Sequence, residues 1–378
     1  MKTNADPEGM TIIGTLNNCA GGMTPWGTYL MAEENFHGYF WTTTLDADGK
    51  PDLSPLPAQD AKRHERYGVP GMWYNWGTKH ERFDIDKEPN EPNRFGWIVE
   101  VDPRDPTAMP VKHTALGRFR HEGCETTLAS DGRLVIYSGD DNRFDYFYKY
   151  VSRGTVGDDK AANSKLLSDG TLYVARFDED GTVAWLPLVH DEGPLTAENG
   201  FNDQGDVLID TRLAADLLGA TPMDRPEDAQ PRGDGSVYLM LTNNSKRKPD
   251  QVDAATPRPK NAFGHIIEIK EAGGDHGAAA GTWSILVQCG DPSVAEVGAV
   301  WNPETSENGW FGSPDNAAID ADGRLWTSTD QGGNWGKTGK SDDLYALETE
   351  GTARGTSKLF FRCPVGGEMC GPYFTDDQ

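Results

Sequence analysis

Long apolar runs are missing from this chain. No stretch of its 378 residues approaches the roughly 18 consecutive apolar residues of a membrane-spanning helix, so a membrane partner is not expected. Residues 1–10 are polar and hold no apolar core of a secretion signal. Positive charge is scarce as well: 35 Lys and Arg face 60 Asp and Glu, a net charge of −25. Such a surface repels nucleic acid and anionic lipid, which argues against both as partners. The five cysteines (Cys19, Cys124, Cys289, Cys363, Cys370) form no CxxC pair, against a zinc ribbon, and their odd number leaves at least one outside any intrachain disulfide. The eight histidines show no HExxH or other paired spacing, so zinc hydrolase chemistry is poorly supported. Neither a GxSxG elbow nor a Walker-type glycine loop occurs. With 44 Gly and 24 Pro there is little room for long helices. A monomer is expected.

What the chain does have is short strands and the turns between them. Hydrophobic residues make up 36%, with 11 Trp, which is ample material for a core. Strand-like segments are read at 39–45, 96–101, 125–129, 133–138, 144–151, 171–177 and 183–188, then at 236–241, 265–270, 282–288, 317–320, 324–328 and 344–347. Asp-Gly pairs at 48–49, 131–132, 180–181, 234–235 and 322–323 link several of them, a strong hairpin signal. The recurring phrase of strand, Asp-Gly, strand predicts an all-β fold, a β-propeller with loop and helix insertions formed as one domain over 1–378. One helix is expected at 211–218, inside an inter-blade insertion spanning 192–232. The stretch 246–260, rich in Lys, Pro and Asp, reads as an exposed loop.

The richest stretch for chemistry is 14–35, GTLNNCAGGMTPWGTYLMAEEN. It holds Cys19, a Gly21-Gly22 pair read as a turn, and an apolar run at 29–32 read as a strand whose far end presents Glu33 and Glu34. A soft sulfur and hard oxygens brought together suit a transition metal on one side and a hard cation on the other. The plainer reading is a buried cysteine beside a solvated acidic strand end. Further on, strand alternation would set Glu122 and Cys124 on one face, with Gly123 and Glu125 on the other. Asp140 and Asp141 follow the strand at 133–138. Arg225-Pro226-Glu227 joins a fork suited to phosphate to a carboxylate, with proline fixing the backbone between them.

The motif at 14–35 closely resembles the opening motif of the PhoX-type alkaline phosphatases, calcium-dependent bacterial phosphatases that also carry iron. The stretches KEPNEPNRFGWIVEVDP (87–103), GRFRHE (117–122), YSGDDNRFDYFYKYV (137–151), DRPED (224–228), LTNN (241–244) and FGSPDN (311–316) resemble that family too, in the family's order. The resemblance implies a six-bladed propeller with metals near its axis, and phosphomonoester hydrolysis by an iron–calcium cluster whose iron pair is oxo-bridged. It implies Cys19 as an iron ligand and Glu34, Glu122, Asp141 and Glu227 as metal carboxylates. Glu33 is placed behind them or on calcium, and Asp315 and Glu368 are possible calcium ligands. Arg225 would hold the substrate phosphate, Glu227 would share the catalytic role, and Asn243 and Asn244 would lie on the substrate side. Small phosphomonoesters would be the substrates of a periplasmic or secreted protein. Both ends are expected to be cut relative to family members, leaving the propeller incomplete. Two rival readings stand beside this one: a calcium-dependent propeller hydrolase of another type, a phosphodiesterase or lactonase, and an inactive propeller fragment serving as a binding scaffold. For a phosphatase the net charge is a difficulty, since local cations must overcome it before an anionic substrate can bind.

Overall fold

The computed structural model describes residues 1–375. Seventeen strands form four successive antiparallel units. The first is β1 (Asn18–Met23), β2 (Tyr29–Glu33), β3 (Ile98–Val101) and β4 (Val111–His113). The second is β5 (Glu125–Leu128), β6 (Arg133–Gly139), β7 (Phe147–Thr155) and β8 (Gly170–Phe177), with β9 (Thr182–Pro187) added outside. The third is β10 (Pro226–Pro231), β11 (Ser236–Leu241), β12 (His265–Glu271) and β13 (Ala280–Gln288). The fourth is β14 (Pro314–Ile319), β15 (Leu325–Thr329), β16 (Asp343–Leu347) and β17 (Ser357–Arg362). The expected all-β propeller is what the chain forms. The resemblance implies six blades for the family, and the described residues build four. Among those residues no helix is long and apolar enough to cross a membrane.

The Asp-Gly signal works through one local device. In the hairpins β5–β6, β8–β9 and β10–β11, Asp131, Asp180 and Asp234 each accept the amide of the residue two positions on, at 3.0–3.2 Å. This side-chain turn leaves a left-handed place that glycine fills. At Gly235 (φ 85°) a Cβ would stand 2.5 Å from Gly274 Cα, so the position is closed to any side chain. The pair at 48–49 joins no strands beyond an isolated bridge, Leu45 to Pro51.

Three apolar clusters lie where successive units stack, which is why strands such as β11 are buried on both faces. Each fully buried Leu, Ile or Phe there contributes about 1.5–3 kcal/mol. The second and third units are also joined edge to edge, β9 pairing with β13. Glu271, at the end of β12, ties this seam from below. It accepts from Tyr137 Oη (2.7 Å), Lys149 Nζ (2.8 Å) and Trp185 Nε1 (3.0 Å) on β6, β7 and β9.

Several expectations need correction. The segment 39–45 is no strand: Phe36–Tyr39 makes a 3-10 turn, and its carbonyls bind the loop at 71–74 instead of a strand partner. Phe36 and Phe40 anchor it in a fourth cluster with Tyr67, Phe83 and Phe95. Gly21-Gly22 is not a turn but the middle of β1, where a Cβ would meet Leu30 O at 2.1 Å and Cys124 O at 2.2 Å. Helix α4 (Thr211–Leu218) stands where it is expected, while α1 (Ala58–Tyr67), α2 (Lys160–Leu166) and α3 (Gln204–Ile209) are additional. The connection carrying α3 and α4 ends at Arg225 and does not reach 232, because Pro226–Pro231 is already the inner strand β10.

Two stability predictions follow from this architecture. Glu271→Ala strands a buried ammonium and should cost about 3–5 kcal/mol in denaturant unfolding. His64 and His265 are held neutral, each lowered to about 4 chiefly by burial. Below their unfolded value the unfolded chain takes up protons that the fold refuses, so each lowers stability as pH falls from about 6.5 towards 4, by about 1.4 kcal/mol per pH unit. His265→Gln should flatten the slope of stability against pH in that window by about one proton.

Candidate active site at the hub

The innermost strands β1, β5, β10 and β14 face a shared cavity of about 590 Å³. At one end of each, the strand is irregular in the same way. In the first unit Asn18 pairs with Glu33 and Gly21 with Met31, so Cys19 and Ala20 oppose Ala32 alone. In the third, Glu227 and Asp228 oppose Met240. In the fourth, Asp315 and Asn316 oppose Ser328. In the second, the bridge His121 to Asp140 and the pair Glu125 to Tyr137 leave Glu122, Gly123 and Cys124 opposite two residues. Each place has one extra residue, a β-bulge, and a bulge re-aims the side chain it carries. The side chains re-aimed here are Cys19, Glu122, Glu227 and Asp315.

A second contact repeats with the first. Two residues before each bulge residue stands Asn17, Arg120, Arg225 or Ser313. Its carbonyl accepts the amide of the residue leaving the next strand: Glu34 (3.0 Å), Asp141 (2.9 Å), Thr242 (3.2 Å) and Asp330 (3.0 Å), respectively. Asn17, Arg225 and Ser313 adopt left-handed φ of 50°, 57° and 56°, unusual for residues other than glycine. Each unit therefore delivers one bulge residue and one strand-exit residue to the hub. Asp330 and Thr242 are not singled out in the sequence; each stands 15 residues after its bulge residue, as Glu34 does after Cys19, whereas Asp141 stands 19 after Glu122.

The ligand atoms of Cys19, Glu34 and Glu122 lie within 4.8 Å of one another, and so do those of Glu122, Glu227 and Asp315. Glu122 belongs to both sets. Cys19 Sγ donates to Glu122 Oε1 at 3.1 Å, and Asn316 Nδ2 donates to the same oxygen at 3.2 Å. Asp141 holds Arg225 in a bidentate pair, Nε at 2.6 Å and Nη2 at 2.8 Å. Arg225 Nη2 is also 3.0 Å from Glu227 Oε1, but without the alignment of a hydrogen bond, so that buried oxygen has no hydrogen-bond partner.

The electrostatics follow from this crowding. Burial, then Asp141, pushes Glu122 up to about 7. Burial and neighbouring carboxylates hold Glu34, Glu227 and Asp315 well above the ordinary range. The Cys19 thiol is pushed up by burial of its sulfur and by Glu122 and Glu34, although the residue borders the open cavity. Asp141 alone goes the other way: burial opposes its charge, yet the Arg225 fork brings it down to about 2. One guanidinium thus faces five carboxyl groups and a thiol. A thiol among carboxylates, with an orphaned buried oxygen at its centre, fits multivalent cations.

Other expected residues fall elsewhere. Glu33 is turned from the hub and saturated: Oε1 accepts from Thr15 Oγ1, Leu16 N and Lys112 Nζ, and Oε2 from Gly96 N and Trp97 N. No lone pair of Glu33 is left for a cation. Its counterpart Asp140 is likewise bound by buried Arg212. Cys124 does not share a face with Glu122, because the bulge breaks strand alternation and buries the cysteine in the first apolar cluster. Burial and Asp228 raise Glu125 well above the usual range. Asn244 bridges to Asn261 and accepts from Lys246 N, while its buried Nδ2 has no hydrogen-bond partner. Asn243 is buried one residue beyond the hub position of Thr242. Glu368 is exposed, on the cavity wall near Cys370 and within the field of Asp330.

A propeller whose hub gathers a thiol, buried carboxylates and one anchored arginine defines a class of acid-centred propeller proteins. Within it, the chain belongs to the PhoX alkaline phosphatase family, whose model matches residues 1–378. Among solved structures it is similar to Pseudomonas fluorescens PhoX in complex with vanadate, a transition state analogue, at 40% identity and a TM-score of 0.88. The match covers 98% of this chain and 65% of that one, so the chain spans about two thirds of its relative's length. A putative gluconolactonase (73% of this chain, 63% of that one) and a Xanthomonas campestris gluconolactonase (75% and 73%) match at 12% identity with TM-scores of 0.30 and 0.25, too low to carry an argument. No curated protein matches.

Proposed function

We propose that the hub is the active site of an alkaline phosphatase that hydrolyses small phosphomonoesters with iron and calcium. One observation carries this reading: two overlapping ligand sets share Glu122 beside an arginine fork. The vanadate complex of the Pseudomonas fluorescens relative supports the same site chemistry. Cys19, Glu34 and Glu122 would hold iron, the thiol being the soft donor that favours it. Glu122, Glu227 and Asp315, with Asp330 and Glu368 at the rim, would hold calcium, which takes oxygen ligands. A sulfur within ligand distance of two carboxylates favours this reading over a calcium-only hydrolase. Bound there, the cations supply Lewis acidity and the positive charge that phosphoryl oxygens need.

The chain's own groups do the orienting. Asp141 fixes the Nε and Nη2 edge of Arg225, which leaves Nη1 to reach a phosphoryl oxygen. Pro226 fixes the backbone between Arg225 and Glu227, so the fork and the carboxylate keep their spacing. Glu227, with its unpartnered oxygen 3.0 Å from Arg225 Nη2, stands between the fork and the calcium set. The protein acts as a periplasmic or secreted monomer in this reading. Release of phosphate from 4-nitrophenyl phosphate at alkaline pH by iron- and calcium-loaded protein tests the reading, and loaded protein without activity would overturn it.

Two substitutions separate the roles. Cys19→Ser replaces a soft ligand with a hard one; iron measured by elemental analysis should be lost while circular dichroism stays unchanged. Arg225→Ala should keep the metals and lower kcat/KM by about 10- to 100-fold, the worth of a charge-assisted contact of about 1.5–3 kcal/mol. Loss of metal along with activity would make Arg225 structural.

A further inference from the structure

Arg120 and Arg225 occupy the same place in neighbouring units. Each opens an Arg-x-Glu sequence, Arg120-His121-Glu122 and Arg225-Pro226-Glu227, and each offers its carbonyl to a strand-exit amide. Arg225 is paired with Asp141 and Glu227. Arg120 is not paired: among the described residues no carboxylate lies within ion-pair distance of it. Its Nη1 donates to Asn142 Oδ1 (3.3 Å) and its Nη2 to Tyr67 O (3.2 Å), while its buried Nε has no partner. The acids around it are engaged elsewhere, Asp140 by Arg212, Asp145 by Arg66 and Asp141 by Arg225. A largely buried guanidinium without a counter-ion is costly, and such a group is a ready anion site.

A second unpartnered donor or acceptor lies alongside. His37 is buried, with Nδ1 free of any partner. Gly68 packs against both residues: a Cβ there would stand 3.1 Å from Arg120 Nη2 and 3.7 Å from His37 Cδ2. Arg120 O accepts the Asp141 amide at 2.9 Å and Asp141 holds Arg225, which keeps Arg120 beside the phosphate fork. Trp73 meets the His37 ring edge-on at 4.5 Å and leaves more than half of its own surface, 55%, to solvent.

We propose that Arg120, with His37, binds a second anionic group of the substrate, so that the site favours phosphomonoesters carrying a further phosphate or carboxylate beyond the phosphate held by Arg225. This rests on the phosphatase reading of the hub. Arg120 binds and orients; it takes no part in bond breaking.

The test compares metal-loaded wild type, Arg120→Gln and Arg120→Lys on 4-nitrophenyl phosphate, 3-phosphoglycerate and fructose 1,6-bisphosphate. In Arg120→Gln the ratio of kcat/KM for the doubly anionic esters to that for 4-nitrophenyl phosphate should fall about tenfold or more, through KM, and Arg120→Lys should restore part of it. The carboxylate and bisphosphate arms tell which second anion is preferred. An unchanged ratio, or a loss shared by all three esters through kcat, overturns the proposal and leaves the phosphatase reading standing. Wild type inactive on every ester overturns the phosphatase reading instead. Calorimetry of pyrophosphate and phosphate binding then decides the subsite alone: a wild-type preference for pyrophosphate that Arg120→Gln loses supports it, and equal affinities overturn it. Thermal melting of each variant confirms that the fold is retained.

Discussion

Like charges held together against their repulsion are the condition on which the rest of this structure rests. Glu34, Glu122, Glu227 and Asp315 are buried side by side, each with a carboxyl pushed up by burial and by its neighbours. Left on one flexible segment such groups would separate. Here each arrives on a different rigid unit, fixed by a bulge and by the hydrogen bond from a strand-exit amide to the carbonyl two residues before the bulge. The apolar stacking between units supplies the free energy that keeps them near one another. Metal cations are the natural complement of such a centre, since like bound protons they remove the repulsion without dispersing the ligands.

Behind this layer lies a second one that is fully compensated. Glu33 and Asp140 occupy equivalent places on their strands, turned from the hub, and each carries a buried partner, Lys112 or Arg212. Asp145 extends the network to Arg66. The contrast separates supporting acids, whose lone pairs are filled by the protein, from hub acids, whose oxygens stay available. Neighbours in sequence such as Glu33 and Glu34, or Asp140 and Asp141, thus have opposite parts to play.

Much of this was legible in the residues. Strand runs and Asp-Gly turns pointed to a propeller because both depend on local chemistry, period-two burial and a glycine where φ is positive. The resemblance singled out Cys19, Glu34, Glu122, Asp141, Arg225, Glu227 and Asp315, and the fold brings them together. What stayed hidden depends on contacts between distant segments. Gly21-Gly22 has the composition of a turn, and only the approach of Leu30 and Cys124 carbonyls makes it strand. The sequence PEDAQP has poor strand character, yet it forms β10 because flanking units hold it. Alternation misplaced Cys124 because a bulge adds a residue that no period-two count anticipates. Asp330 lies in none of the motifs that carry the resemblance and Thr242 does not stand out within LTNN; both emerge only when the four units are compared position by position.

The repeated bulge also makes the centre an interlock. Its members come from stretches more than 300 residues apart in sequence, from Cys19 to Asp330, and none of them reaches the hub unless its own unit is in register with the others. A one-residue slip in any unit would turn that unit's donor outward and leave a corner open. Full coordination therefore completes only after the units have docked, late in assembly. Once complete, it acts as a bolt across all four units, since binding that favours the native form alone raises its stability by mass action.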